Sequence, residues 1–310
     1  SVGVAKIVID SMQEIERVDR LAKAAGKVQN VLLRITPGVE AHTHEAISTA
    51  HEDVKFGFSI ASGAAWKAII ATQSASNLAL EGLHCHIGSQ ITNTSPYLDA
   101  LDKVLDLIEQ LKREGIIIHH LDLGGGLGID YGSDAPPDIT MFTNTLLNRI
   151  DERGFGHMDV ILEPGRSLVG NAGVLLTQVE YLKTGADKNF CIVNAAMNDL
   201  MRPALYDAYH AIVPIKSGSD KVMTYDVVGP VCESGDWLGK DRTLAVHEGD
   251  ILAILSAGAY GFVMSSNYNM RGRAAEVMVD GNQAYLVRER ETSESLFNNE
   301  RTLNQASTLK

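Results

Sequence analysis

Cysteine is scarce in this 310-residue chain, and the three present, Cys85, Cys191 and Cys232, stand far apart. That excludes a disulfide framework or a zinc knuckle and favours a reducing compartment, with the cytoplasm as the default. Positive charge is also short. Lys and Arg number 27 against 39 Asp and Glu, a net charge of −12, which argues against nucleic acid or another polyphosphate surface as partner. No apolar run is long enough to span a bilayer, since the longest mostly apolar stretch, residues 251–264, is interrupted by serine and glycine. The first residues carry no basic-then-apolar signal pattern, and no fixed-period repeat or low-complexity tract is present.

What the chain does have is 45% hydrophobic residues, enough for a substantial core, arranged at first as strands alternating with helices. Residues 4–9, 31–35, 78–86, 119–123 and 159–162 read as strands. Between them, residues 11–25 read as a helix with a Ser11/Glu14 capping box and a stop at Gly26. Residues 64–72, 95–115 and 138–153 supply three more helices. Strands joined in this way form a parallel sheet with right-handed crossovers. From residue 172 β-rich runs follow without intervening helices, at 174–182, 190–195, 225–231 and 251–255, then a hairpin of 275–279 and 284–288 about Asp280-Gly281-Asn282. The expected fold class is α/β: a partial TIM-type (β/α) barrel over 1–171, with about five of the eight strands a full barrel needs, followed by a C-terminal all-β domain over 172–310. Its polar tail, from Thr292 on, is expected to fray.

In such barrels the C-terminal strand ends form the active face, and three ends are unusually polar: His84 to Gln90, Asp122 to Gly128, and Glu163-Pro164-Gly165-Arg166. Gly124, Gly125 and Gly126 would let backbone amides turn toward an anion. The spacing is not a dinucleotide fingerprint, because Ile129 stands where a third glycine would, and no Walker lysine follows. Glu163 could keep a pyridine nitrogen protonated and so make the ring an electron sink, or it could form a surface ion pair with Arg166. His84 and His86 are expected to face opposite sides, one of them structural, and to be poorly arranged for metal, with no Cys or Asp ligand nearby. His42, His44 and His51 read as a solvated or loop-bracing group. Cys232, beside Glu233 in a polar turn, is either a small buried hydrophobe or an exposed proton donor or nucleophile. Arg202 and Tyr206, four apart, share a helix face and could clamp a carboxylate.

These segments, with Lys55-Phe56-Gly57-Phe58, Arg202-Pro203-Ala204-Leu205-Tyr206, residues 229–236 and Gly258-Ala259-Tyr260, make the chain resemble the diaminopimelate decarboxylases along essentially its whole length. Those are pyridoxal-phosphate enzymes of the alanine-racemase-like fold. The resemblance implies pyridoxal 5'-phosphate as cofactor, with His86 stacked on its ring and Glu163 at the pyridine nitrogen. Ser89, Gly124, Gly125, Gly126, Gly165, Arg166 and Tyr260 would surround its phosphate. It implies Cys232 as the acid, supplied across a homodimer interface, and Arg166, Arg202, Tyr206, Glu233 and Tyr260 as substrate contacts. The implied activity is decarboxylation of meso-diaminopimelate to L-lysine, the last step of lysine biosynthesis. That substrate carries a carboxylate and an ammonium at its far end, and Arg166 and Arg202 with Glu233 offer partners to both. The alternatives are a related basic amino-acid or carboxynorspermidine decarboxylase and a non-catalytic cofactor-binding homologue.

Two departures from the family pattern stand out. Its Schiff-base lysine, followed by alanine and asparagine, has no match in the sequence, so the chain is expected to lack an N-terminal segment and to be inactive alone. Ala274 replaces the usual proline after Arg273, with only a local backbone effect expected.

Overall fold

The computed structural model describes residues 3–39, 55–132, 134–216 and 221–304; His42, His44 and His51 lie outside the described residues. The chain divides into two compact units, residues 1–168 and 169–310.

The first unit contains β1 (Ile7–Ile9), α1 (Met12–Ala24), β2 (Gln29–Thr36), β3 (Phe58–Ser59), α2 (Ala64–Ser74), β4 (Leu78–His84), α3 (Ser95–Arg113), β5 (His120–Asp122), α4 (Ile139–Glu152) and β6 (Asp159–Ile161). A short helix, α5 (Arg166–Val169), closes it. The strands lie in the order β1-β2-β4-β5-β6, with β3 paired to β2, and every pairing is parallel. Neighbours in sequence are thus neighbours in space, with helices on the return paths, which is the wall of a TIM-type barrel. Local signals explain the helices: Ser11 Oγ accepts the Glu14 amide at the start of α1, and Asp138 Oδ1 accepts the Thr140 and Met141 amides at the start of α4. Along α3, Leu101, Leu105, Ile108 and Leu111 are buried in one core with Leu33, Leu83 and Leu121 of the strands, each worth about 2 kcal/mol relative to exposure. Strand β3 escapes sequence reading because two residues carry no periodicity.

In the second unit β7 (Leu175–Thr184), β8 (Asn189–Val193), α6 (Arg202–Tyr206), β9 (Ile212–Pro214), β10 (Met223–Val228), β11 (Trp237–Leu244) and β12 (Ile251–Ile254) build a six-stranded sheet ordered β11-β10-β8-β7-β12-β9. All of its pairings are antiparallel except β8 with β10. Val179, Cys191, Val193, Val227, Leu238, Leu252 and Ile254 form its core. A hairpin of β13 (Glu276–Asp280) and β14 (Gln283–Arg288) follows. Strands β9 and β11 are additions to the sequence reading: the first is three residues long, and Gly239, Lys240 and Asp241 break the alternation of the second. Pairing with β10 overrides that pattern, and Asp241 takes a left-handed φ of 53°. The tail is more ordered than expected, for Thr292 Oγ1 accepts the Ser295 amide and starts α7 (Ser293–Leu296). Among the described residues no helix is long and apolar enough to cross a membrane.

Candidate active site

The loops that follow β4, β5 and β6 are fastened to one another by backbone hydrogen bonds. Cys85 N donates to Asp122 O at 2.8 Å, Glu163 N to Gly124 O at 2.8 Å, and Ile91 N to Gly126 O at 2.9 Å. This close approach is what the three glycines allow. A Cβ on Gly125 would sit 2.2 Å from Glu163 O, and one on Gly126, whose φ is +104°, would sit 2.3 Å from Gly88 O. Two of the three amides face inward, because Gly124 N donates to Asp122 Oδ1 at 2.9 Å and Gly125 N to His86 Nδ1 at 3.3 Å.

His84 and His86 both reach this cluster, which corrects the expectation that they face opposite sides: residues two apart on a strand share a face. His84 Nε2 lies 3.1 Å from Glu163 Oε2, while His86 lies beyond the strand end against Gly125. The carboxylates thought absent near His84 are supplied by other strands. His84, Asp122 and Glu163 bring potential ligand atoms within 4.8 Å of one another, a proximity that spacing along β4 could not reveal. Burial, and then the Arg34 cation and His84, push the His86 imidazole down to about 4. His86 is therefore neutral near pH 7, with its Nδ1 lone pair facing the Gly125 amide. Burial pushes the Cys85 thiol up to about 12 and raises the Asp122 carboxyl, against the pull of the Gly124 amide.

Arg166, at the start of α5, is buried. Its Nη2 donates to Ser89 Oγ at 2.9 Å and its Nη1 to Tyr131 Oη, so the loops after β4, β5 and β6 all hold or carry this guanidinium. Tyr131 was missed by sequence reading, since a lone tyrosine in a loop carries no spacing signal. A Cβ built on Gly165 meets nothing within 4 Å, so the turn between Glu163 and Arg166 faces open space. An acidic acceptor at one end of that turn and a fixed guanidinium with a hydroxyl at the other suit a ligand with a basic ring nitrogen and a phosphate. Pyridoxal 5'-phosphate is such a ligand.

The second unit carries the remaining candidates. Arg202 and Tyr206 lie on the single turn of α6, and Arg202 Nη1 donates to His210 Nε2 at 2.8 Å. His210 Nδ1 lies 2.8 Å from Leu255 O, which places its proton on Nδ1 and leaves Nε2 to accept. Cys232 is exposed and unpaired. Its loop is tied down by buried Asp236, whose two oxygens accept the Met197 and Val231 amides at 2.7 Å each. Burial raises the Asp236 carboxyl despite those bonds. Glu233 Oε2 accepts Tyr268 Oη at 2.6 Å. Tyr260 is half exposed and held at a left-handed φ of 55°, a conformation uncommon outside glycine. His210, Asp236 and Tyr268 were not singled out from sequence: each works through a partner at least five residues away.

Residues 1–170 match the pyridoxal binding domain of the pyridoxal-dependent decarboxylases, and the parallel strand-end site belongs to that class of protein. The diaminopimelate decarboxylase of Neisseria meningitidis serogroup A is 50% identical over 298 residues, covering 96% of this chain and 72% of the relative. That of Vibrio cholerae is 50% identical over 289 residues, covering 93% and 68%. The chain belongs to the diaminopimelate decarboxylase family. In structure it resembles the diaminopimelate decarboxylase of M. jannaschii in co-complex with L-lysine, with a TM-score of 0.91 and 40% identity over 96% of this chain and 70% of that one.

Proposed function

We propose that the chain takes part in pyridoxal-phosphate-dependent decarboxylation of meso-diaminopimelate to L-lysine, with the residues gathered above in defined roles. The convergence of Glu163, Arg166, Ser89 and His86 on adjoining strand-end loops supports this reading most strongly. Arg166 and Ser89, with the Gly126 loop, hold the phosphate. His86, neutral and fixed by Gly125, packs on the ring. Glu163 holds a proton at the pyridine nitrogen. The cofactor, when bound, supplies an electron sink for the pair left as the bond to carbon dioxide breaks. Cys232 Sγ then returns a proton to the carbon, supplied from the partner subunit of a homodimer. Its exposed, unpaired thiol suits that role, and the Asp236 brace fixes where it stands. Arg202 and Tyr206 bind carboxylate groups of the substrate, and Glu233 its distal ammonium. Three unpaired cysteines agree with a reducing compartment.

The test is a titration of the chain loaded with pyridoxal 5'-phosphate, followed by the cofactor's absorbance. Saturable change at lower concentrations of meso-diaminopimelate than of ornithine is expected. Equal response to both would contradict the substrate assignment.

A further inference from the structure

His84 is deeply buried at the strand-end cluster, with a side chain only 5% exposed. In the sheet it stands in register between Arg34 of β2 and Asp122 of β5. A polar ring in such a place is costly unless its bonds are made. Its Nε2 bond goes to Glu163 Oε2, and its Nδ1 is buried with no partner among the described residues. Because a carboxylate can only accept, Nε2 carries the proton, and the ring is turned wholly toward Glu163. Glu163 needs such a hold. Its side chain is 48% exposed at the end of a strand, free to swing into solvent on its own.

We propose that His84 is a positioning residue: it holds the Glu163 carboxylate from behind so that the free oxygen faces the ring nitrogen of pyridoxal 5'-phosphate. Asp122, in register beside it and bonded to the Gly124 amide, fixes the glycine turn against which the Glu163 backbone rests. The inference rests on the assignment of Glu163 to the ring nitrogen made above.

The experiment compares the binding of pyridoxal 5'-phosphate with that of its 1-deaza analogue, in which carbon replaces the ring nitrogen, to wild type, His84→Met and His84→Gln. Methionine is flexible enough for a core position, and glutamine retains a donor of similar reach. Wild type should prefer the natural cofactor. His84→Met should weaken that cofactor by about tenfold and the analogue hardly at all, and His84→Gln should restore most of the preference. If wild type prefers the natural cofactor and His84→Met keeps the whole preference, or loses both ligands equally, the positioning role is wrong while the Glu163 assignment stands. If wild type shows no preference, the Glu163 assignment itself fails. Should His84→Met not fold, His84→Asn, whose shorter amide does not reach Glu163, is compared with His84→Gln: a preference lost in the first and kept in the second supports the proposal, and a preference kept in both or lost in both overturns it.

Discussion

Arg166 Nη2 donates to Ser89 Oγ at 2.9 Å, although 77 residues separate the two. The bond joins the loop after β4 to the start of α5 and keeps a buried guanidinium pointing in one direction. Lysine cannot make the same fork of contacts to Ser89 and Tyr131. Arg166→Lys is expected to weaken pyridoxal 5'-phosphate binding by about 10- to 100-fold. Pyridoxal, which has no phosphate, should be affected far less. Fluorescence titration of both ligands checks this, and equal loss for the two would remove Arg166 from the phosphate.

The glycine turn makes a sharper steric demand than its sequence suggests. Gly125→Ala would drive a Cβ to 2.2 Å from Glu163 O, where backbone must move, and should cost more than about 2 kcal/mol. Gly165→Ala meets open space and should change stability by less than about 0.5 kcal/mol. Urea unfolding of the two variants gives the comparison.

Acid should weaken the fold through His86. Its imidazole is held at about 4 against an ordinary 6.5, so as pH falls the unfolded chain takes up a proton that the folded chain refuses. The stability this group contributes is complete above the unfolded value and is lost as pH falls through the folded one. The raised carboxyls of Asp122, Asp199 and Asp236 act with the opposite sign, but they are common to wild type and variant. Between about pH 7 and about pH 4.5, His86→Phe should therefore lose about 2 kcal/mol less than wild type. Denaturant midpoints at the two pH values measure it.

Thiol chemistry should single out Cys232. Burial pushes the Cys85 and Cys191 thiols up to about 12, whereas Cys232 is exposed. A thiol reagent should modify Cys232 in the folded chain, reach the other two only after denaturation, and leave folded Cys232→Ala untouched.

Much of the first unit was legible because its signals are local. Ser11 capping α1, the leucine stripe of α3 and the polar strand ends all lie within a few residues of what they determine. The pairing of His84 with Glu163 was not legible, nor was that of Arg202 with His210, since each depends on which strand or turn comes to lie beside which. The facing of His84 and His86 was misjudged although strand alternation decides it. Strand β11 stayed hidden for another reason: partner strands can impose extended structure on Gly239-Lys240-Asp241, which no periodicity marks as a strand.

The most direct measurement is a crystal structure of the chain with pyridoxal 5'-phosphate. Its phosphate should lie against Arg166, Ser89 and the Gly126 loop, with the ring nitrogen in hydrogen-bond reach of Glu163. A cofactor seated away from these residues, or with its ring nitrogen pointing away from Glu163, would contradict the assignment.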